Sequence, residues 1–179
     1  GSVDRESWSD KEGNPRYRAE MQEKWFNYIT NEIVPFIHNY TGRNDLIVTG
    51  CSMGGTHAGI SFFRRPDLFE TLIALSGAFD ASMFFGNYMD DLVYNNSPVH
   101  FLRNMPEDHY YLDIYRNKKL ILCIGQGAWE EDLLPSNHEM NAILKEKNVP
   151  AWVDFWGYDV AHDWNWWQLQ IRYFMDKVL

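Results

Sequence analysis

A serine set among glycines, Gly50-Cys51-Ser52-Met53-Gly54-Gly55, follows the apolar run Leu46 to Thr49. A helix-compatible stretch, Thr56 to Phe63, comes next and stops before Pro66. A serine hydroxyl is a weak nucleophile at its ordinary pKa and needs an adjacent base to take its proton. In the pattern G-x-S-x-G the serine occupies a strained turn between a strand and a helix, where flanking side chains would collide. Gly50 and Gly54 remove those side chains and leave the Ser52 hydroxyl exposed. The start of the following helix favours developing negative charge, so the backbone N–H of Met53 is a candidate donor to an oxyanion. The competing reading is a glycine-rich turn whose serine only caps the helix. The flanking strand and helix, together with partners downstream, favour the nucleophile. A phosphate-binding loop does not fit, because no lysine follows the glycines at the Walker spacing.

In the α/β-hydrolase arrangement the serine comes first in the chain. An aspartate or glutamate follows after a later strand, and a histidine after the last one. Two loops qualify as sources. The run Lys119 to Ile124 leads into Gly125-Gln126-Gly127-Ala128-Trp129-Glu130-Glu131-Asp132, and Ala151 to Trp156 leads into Gly157-Tyr158-Asp159-Val160-Ala161-His162-Asp163-Trp164. His162 is the base candidate, taking the Ser52 proton and later handing it to the leaving alcohol. The other five histidines fit less well: His57 on the helix after the elbow, His38 at the end of the first long helix, His100 and His109 in an aromatic-rich stretch, and His138 on a helix. Only one of the three consecutive acids can be oriented toward the imidazole. Glu130 is the first choice, with Glu131 and Asp132 as alternatives, since carboxylates that open a helix also complement its dipole.

The elements that hold these loops follow from periodicity. Leu46 to Thr49, Thr71 to Ser76, Lys119 to Ile124 and Ala151 to Trp156 are strand-like, and each precedes helix-like sequence. The first three are continuously apolar, as strands covered on both faces are, which predicts an α/β fold with a mostly parallel sheet flanked by helices. From Arg18 to Asn39, Met21, Trp25, Ile29, Ile33 and Ile37 recur every fourth position and predict a buried helical stripe. Pro35 should bend that helix near its end. Residues 1–17 are polar and turn-rich and read as a loop, while residues 79–117 read as an excursion with short helices that leaves the sheet beside the triad loops and lines the substrate pocket.

At 179 residues and 45% hydrophobic content the chain is one domain, 1–179. The apolar runs are too short to span a bilayer, and the amino end shows no basic segment followed by an apolar one. The net charge of −9, without a basic stripe, disfavours nucleic acid and anionic partners in general. Cys51 and Cys123 suggest neither a metal site nor a disulfide framework. These features fit a reducing, cytoplasmic setting with no membrane partner. No metal or organic cofactor is required. Most of the tryptophans, six of which lie from Trp129 to Trp167, are expected in the core.

The three loops together resemble those of the esterase family that includes esterase D (S-formylglutathione hydrolase), feruloyl esterases and the mycobacterial mycolyltransferases. The Gly50 to Gly55 elbow is similar to that family's, and so are Ser76-Gly77-Ala78-Phe79-Asp80 after the second strand and His162 followed by Trp164. Gln126-Gly127 with an acid three residues after the glycine resembles its acid loop and places the acid on Glu130. The resemblance implies hydrolysis of a small-molecule or carbohydrate ester. The alternatives are an acyltransferase with the same residues, or a catalytically silent carbohydrate-binding or scaffold module of the same fold. Such proteins have a sheet of roughly eight strands in about 250 or more residues, whereas four strands are legible here. The resemblance therefore implies a carboxyl-terminal portion lacking its amino-terminal strands, with Gly1 to Trp8 as the stretch after an earlier strand. The second oxyanion donor would lie upstream. Partners would be the missing segment or a second copy of the chain.

Overall fold

The computed structural model describes residues 4–179, so the reading of Gly1 to Trp8 lies partly outside the described residues. In chain order the elements are α1 (Pro15–Tyr28), a π turn (Ile29–Ile33), α2 (Val34–Thr41), β1 (Ile47–Cys51), α3 (Met53–Arg64), β2 (Thr71–Leu75), and the short helices α4 (Ser82–Phe85), α5 (Asp91–Asn95), α6 (Pro98–Arg103) and α7 (Tyr110–Arg116). Then come β3 (Lys119–Ile124), α8 (Leu134–Glu146), β4 (Trp152–Phe155) and α9 (Trp164–Val178). The strands form one parallel sheet in the order β1-β2-β3-β4. The register aligns Gly50 with Ala74, Ala74 with Leu122, and Leu122 with Val153.

Successive side chains on a strand point to opposite faces, so a strand between two helical layers is apolar throughout. On one face Leu72, Ala74, Leu120 and Leu122 meet Phe62 and Phe63 of α3 and Met140, Ile143 and Leu144 of α8. On the other, Ile73, Leu75, Ile121 and Cys123 meet Trp167 and Phe174 of α9. The carboxyl ends of all four parallel strands lie at one edge of the sheet, which is where loops from different strands can meet.

The amino-terminal region departs from the sequence reading. Trp8 is 1% exposed and donates from Nε1 to Gln22 Oε1 at 2.8 Å. α1 begins inside the expected loop, at Pro15, where Asn14 Oδ1 accepts from the Tyr17 N–H. The expected stripe Met21, Trp25, Ile29, Ile33 and Ile37 is only half-buried; the buried line is Arg18, Gln22, Phe26, Thr30 and Val34. The polar members of that line each have a partner. Arg18 donates to the carbonyls of Ser7 (2.7 Å), Trp8 (3.0 Å) and Phe84 (2.9 Å), and the Thr30 hydroxyl donates to Phe26 O (2.9 Å). Buried polar groups so satisfied cost little, and hydropathy alone misplaces the face. At Pro35 the departure from α geometry takes the form of the π turn, in which the Val34 N–H donates to Ile29 O. Proline offers no N–H and crowds the carbonyl four residues back.

The tryptophans also correct the expectation. Trp8 and Trp167 are buried, Trp25, Trp156 and Trp166 are half-buried, and Trp129, Trp152 and Trp164 are exposed. The exposed ones sit on the edge strand β4, in a loop, or at the start of α9 beside the other sheet edge. No helix among the described residues is long and apolar enough to cross a membrane.

β1 pairs only with β2 among the described residues. Beside its free edge runs an apolar groove lined by Cys51, Leu75, Trp164, Trp167 and Ile171. A free parallel edge next to apolar surface templates pairing with another chain. The 179-residue chain by itself is therefore expected to self-associate, and Thr49→Lys, at an exposed position on β1, should shift it toward monomer. Size-exclusion chromatography with light scattering checks this. A monomer that persists at high micromolar concentration would contradict it.

Candidate active site

The elbow is built as the sequence requires, with one change of detail. Ser52 lies between β1 and α3 with φ 54° and ψ −126°, a left-handed conformation rare for a residue with a side chain. Its N–H donates to Leu75 O at 2.9 Å. A Cβ on Gly50 would stand 2.2 Å from the Gly54 carbonyl oxygen, so Gly50 is obligatory. A Cβ on Gly54 would meet nothing within 4 Å, whereas one on Gly55 would come within 2.7 Å of Leu75 O. The second close-packed glycine is thus Gly55, not Gly54, because the helix approaches the end of β2 there. Gly50→Ala should lower the thermal midpoint sharply, since forced overpacking costs about 1–3 kcal/mol or more. Gly54→Ala should leave it equal or raised, by up to about 1 kcal/mol for alanine over glycine in a helix. Calorimetry on the two variants decides, and equal midpoints would contradict the contact.

The acid and histidine loops are stitched together by backbone. The Gly127 N–H donates to Val160 O (2.8 Å), the Gln126 N–H to Gly157 O (3.2 Å), and the His162 N–H to Ala128 O (3.0 Å). A Cβ on Gly125 would stand 2.1 Å from Val160 O, so this approach also depends on glycine. Trp129 takes φ 67°, and the Glu130 N–H returns to Gly127 O at 3.2 Å. That tight turn sends Glu130 inward, where it is 1% exposed, and leaves Glu131 and Asp132 in solvent.

The three sequence-derived residues meet. Ser52 Oγ lies 2.8 Å from His162 Nε2, and His162 Nδ1 lies 3.0 Å from Glu130 Oε2. A carboxylate oxygen accepts, so Nδ1 carries the ring proton and Nε2 is left to accept from the Ser52 hydroxyl. Met53 is the first residue of α3, and its N–H has no intrahelical acceptor. Sequence reasoning gave no role to two further groups: the Ser76 hydroxyl donates to Glu130 Oε1 at 2.6 Å, and Trp167 Nε1 donates to Ser76 Oγ at 3.0 Å. Position was the available signal for Ser76, since it directly follows β2, the strand beside the elbow's own.

A cavity of about 180 Å³ opens over Ser52 and His162, lined also by Met53, Thr56, Ser76, Ala78, Met83, Phe84, Trp129, Asp132 and Leu133. Of the excursion, α4 supplies Met83 and Phe84 and Ala78 precedes it; α5 and α6 pack instead against α1 and α8. The expectation that the whole excursion lines the pocket is narrowed to its first residues. Burial pushes the thiols of Cys51 and Cys123 up. Cys51 lines the groove beside α9, and Cys123 lies in the core. Among the described residues no group of three or more histidine, cysteine, aspartate or glutamate side chains is placed to hold a metal ion.

Solved structures share this fold. A ferulic acid esterase matches with a TM-score of 0.65 at 22% identity, covering 82% of this chain and 57% of its own. The fluorophosphonate-binding serine hydrolase F of Staphylococcus aureus matches with a TM-score of 0.65 at 22% identity, covering 85% of this chain and 62% of its own. At such identities the likeness shows the α/β-hydrolase fold, and this chain spans less than two thirds of the length of either protein. A prolyl endopeptidase of Dictyostelium discoideum is 30% identical over 95 residues, which is 49% of this chain and 12% of that protein. The family model described as "Putative esterase" matches residues 2–173, and the chain belongs to that family.

Proposed function

We propose that this chain carries the catalytic centre of a serine carboxylic-ester hydrolase that works through an acyl-enzyme on Ser52. The observation that supports it is the continuous chain from Ser52 Oγ through the imidazole of His162 to the buried Glu130 carboxylate, with contacts of 2.8 and 3.0 Å. Ser52 Oγ forms a bond to the ester carbonyl carbon while its proton passes to His162 Nε2. Glu130 holds the ring in place and stabilises the imidazolium, and the Met53 N–H donates to the carbonyl oxygen as it becomes an anion. Collapse breaks the bond to the leaving alcohol, which departs with the proton from Nε2. Water then adds to the acyl-enzyme, gives its proton to Nε2, and releases the acid as Ser52 recovers its hydrogen.

The half-buried Phe84 and the exposed Met83 and Trp129 give the pocket an apolar wall, which suits the acyl or alcohol part of a small-molecule or carbohydrate ester. The free β1 edge supports association with a second copy or with further sheet-forming sequence. The test is an ester panel varied in acyl length, including acetylated and feruloylated sugars, run on the whole protein with products resolved in water and in water plus an acceptor alcohol. Release of free acid is expected. Transfer of the acyl group to the alcohol in preference to water would make it an acyltransferase, and no turnover of any ester would favour a silent binding module.

A further inference from the structure

We infer that Ser76 and Trp167 are positioning residues for Glu130 and His162, forming a one-way relay of hydrogen bonds behind the triad. The inference rests on the hydrolase reading above. An indole N–H only donates, so Trp167 Nε1 gives its hydrogen to Ser76 Oγ at 3.0 Å. That contact turns the Ser76 hydroxyl hydrogen toward Glu130 Oε1, 2.6 Å away. Each Glu130 oxygen then has its own donor, Ser76 on Oε1 and His162 Nδ1 on Oε2. A carboxyl group held at both oxygens cannot rotate away from the imidazole.

Three further observations carry the inference. Ser76 has none of its surface exposed, even where it borders the cavity, and its hydroxyl is taken up by Glu130 and Trp167. It also takes φ 49°, and a residue with a side chain is kept in that region only where its surroundings over-determine it; here its N–H donates to Cys123 O at 2.7 Å. Last, the Trp167 ring stands edge-on to His162, with centroids 4.7 Å apart and an interplanar angle of 89°. One side chain therefore braces the imidazole plane directly and the acid through Ser76.

Ser76→Ala and Trp167→Phe test this in the whole protein. Loss of one hydrogen bond to a charged group should lower kcat of Ser76→Ala about 10- to 100-fold with KM nearly unchanged. Trp167→Phe keeps an edge-on ring but no N–H, and should lose roughly 2- to 10-fold. A merely structural role would not move the second readout, the far-downfield proton resonance of an Nδ1–H held against a carboxylate. It should be sharp in the wild type, and weakened or broadened in Ser76→Ala at a temperature where the variant is fully folded by circular dichroism. A wild type that turns over esters while Ser76→Ala keeps both its kcat and an unshifted resonance would overturn the positioning role alone. A wild type without turnover on any ester would overturn the hydrolase reading and this role with it.

Discussion

Ser52→Ala is expected to lower ester turnover about a million-fold, the usual scale for removing a triad serine, with little change in thermal midpoint. The hydroxyl contacts His162 Nε2 at 2.8 Å, and no packing depends on it. Alanine meets the same conformational demand at φ 54° that serine already meets, so the turn should persist. The residual rate would come from the oxyanion donor and binding alone. Measuring kcat on the purified variant beside its melting curve separates lost chemistry from lost fold. A variant that melts normally and keeps a tenth of wild-type turnover would exclude Ser52 as the nucleophile.

Glu130→Gln should cost about ten-thousand-fold in kcat, because an amide opposite Nδ1 favours the tautomer with its hydrogen on the wrong ring nitrogen. The substitution preserves shape at a site 1% exposed to solvent, so packing should be spared. Glu131→Gln and Asp132→Asn serve as controls: both side chains are exposed and neither touches the imidazole. They should stay within a few fold of wild type, allowing for Asp132 on the pocket wall. The reverse ranking in kcat would move the acid to one of them.

The sequence was most legible where one physical demand dominated. Covered parallel strands must be apolar on both faces, as β2 and β3 are, and all four runs were placed within a residue or two of β1 to β4. The order serine, acid, histidine selected Ser52 and His162 without any distance. Residue chemistry alone left Glu130, Glu131 and Asp132 open, because the deciding feature is the left-handed turn at Trp129, and nothing in the tryptophan's identity announces a positive φ. The family resemblance picked the residue that the turn buries.

Elsewhere tertiary partners overrode local pattern. The buried face of α1 and the π turn after it contains Arg18, Gln22 and Thr30, which bond to Ser7, Trp8, Phe84 and Phe26. A periodicity count scores those residues as solvent-facing. The motif singles out Gly54, but the approach of the end of β2 makes Gly55 the close-packed glycine. The exposed tryptophans lie at sheet edges and a loop, where burial depends on what else the sheet meets.

The proposed chemistry stands on Ser52 being a nucleophile activated by His162. Intact-protein and peptide mass spectrometry after exposure of the whole protein to a fluorophosphonate tests it most directly. One covalent adduct is expected, mapped to Ser52, absent from Ser52→Ala and strongly slowed in His162→Ala. No adduct on the folded wild type, or one formed at Cys51 or another residue with Ser52 unmodified, would contradict it.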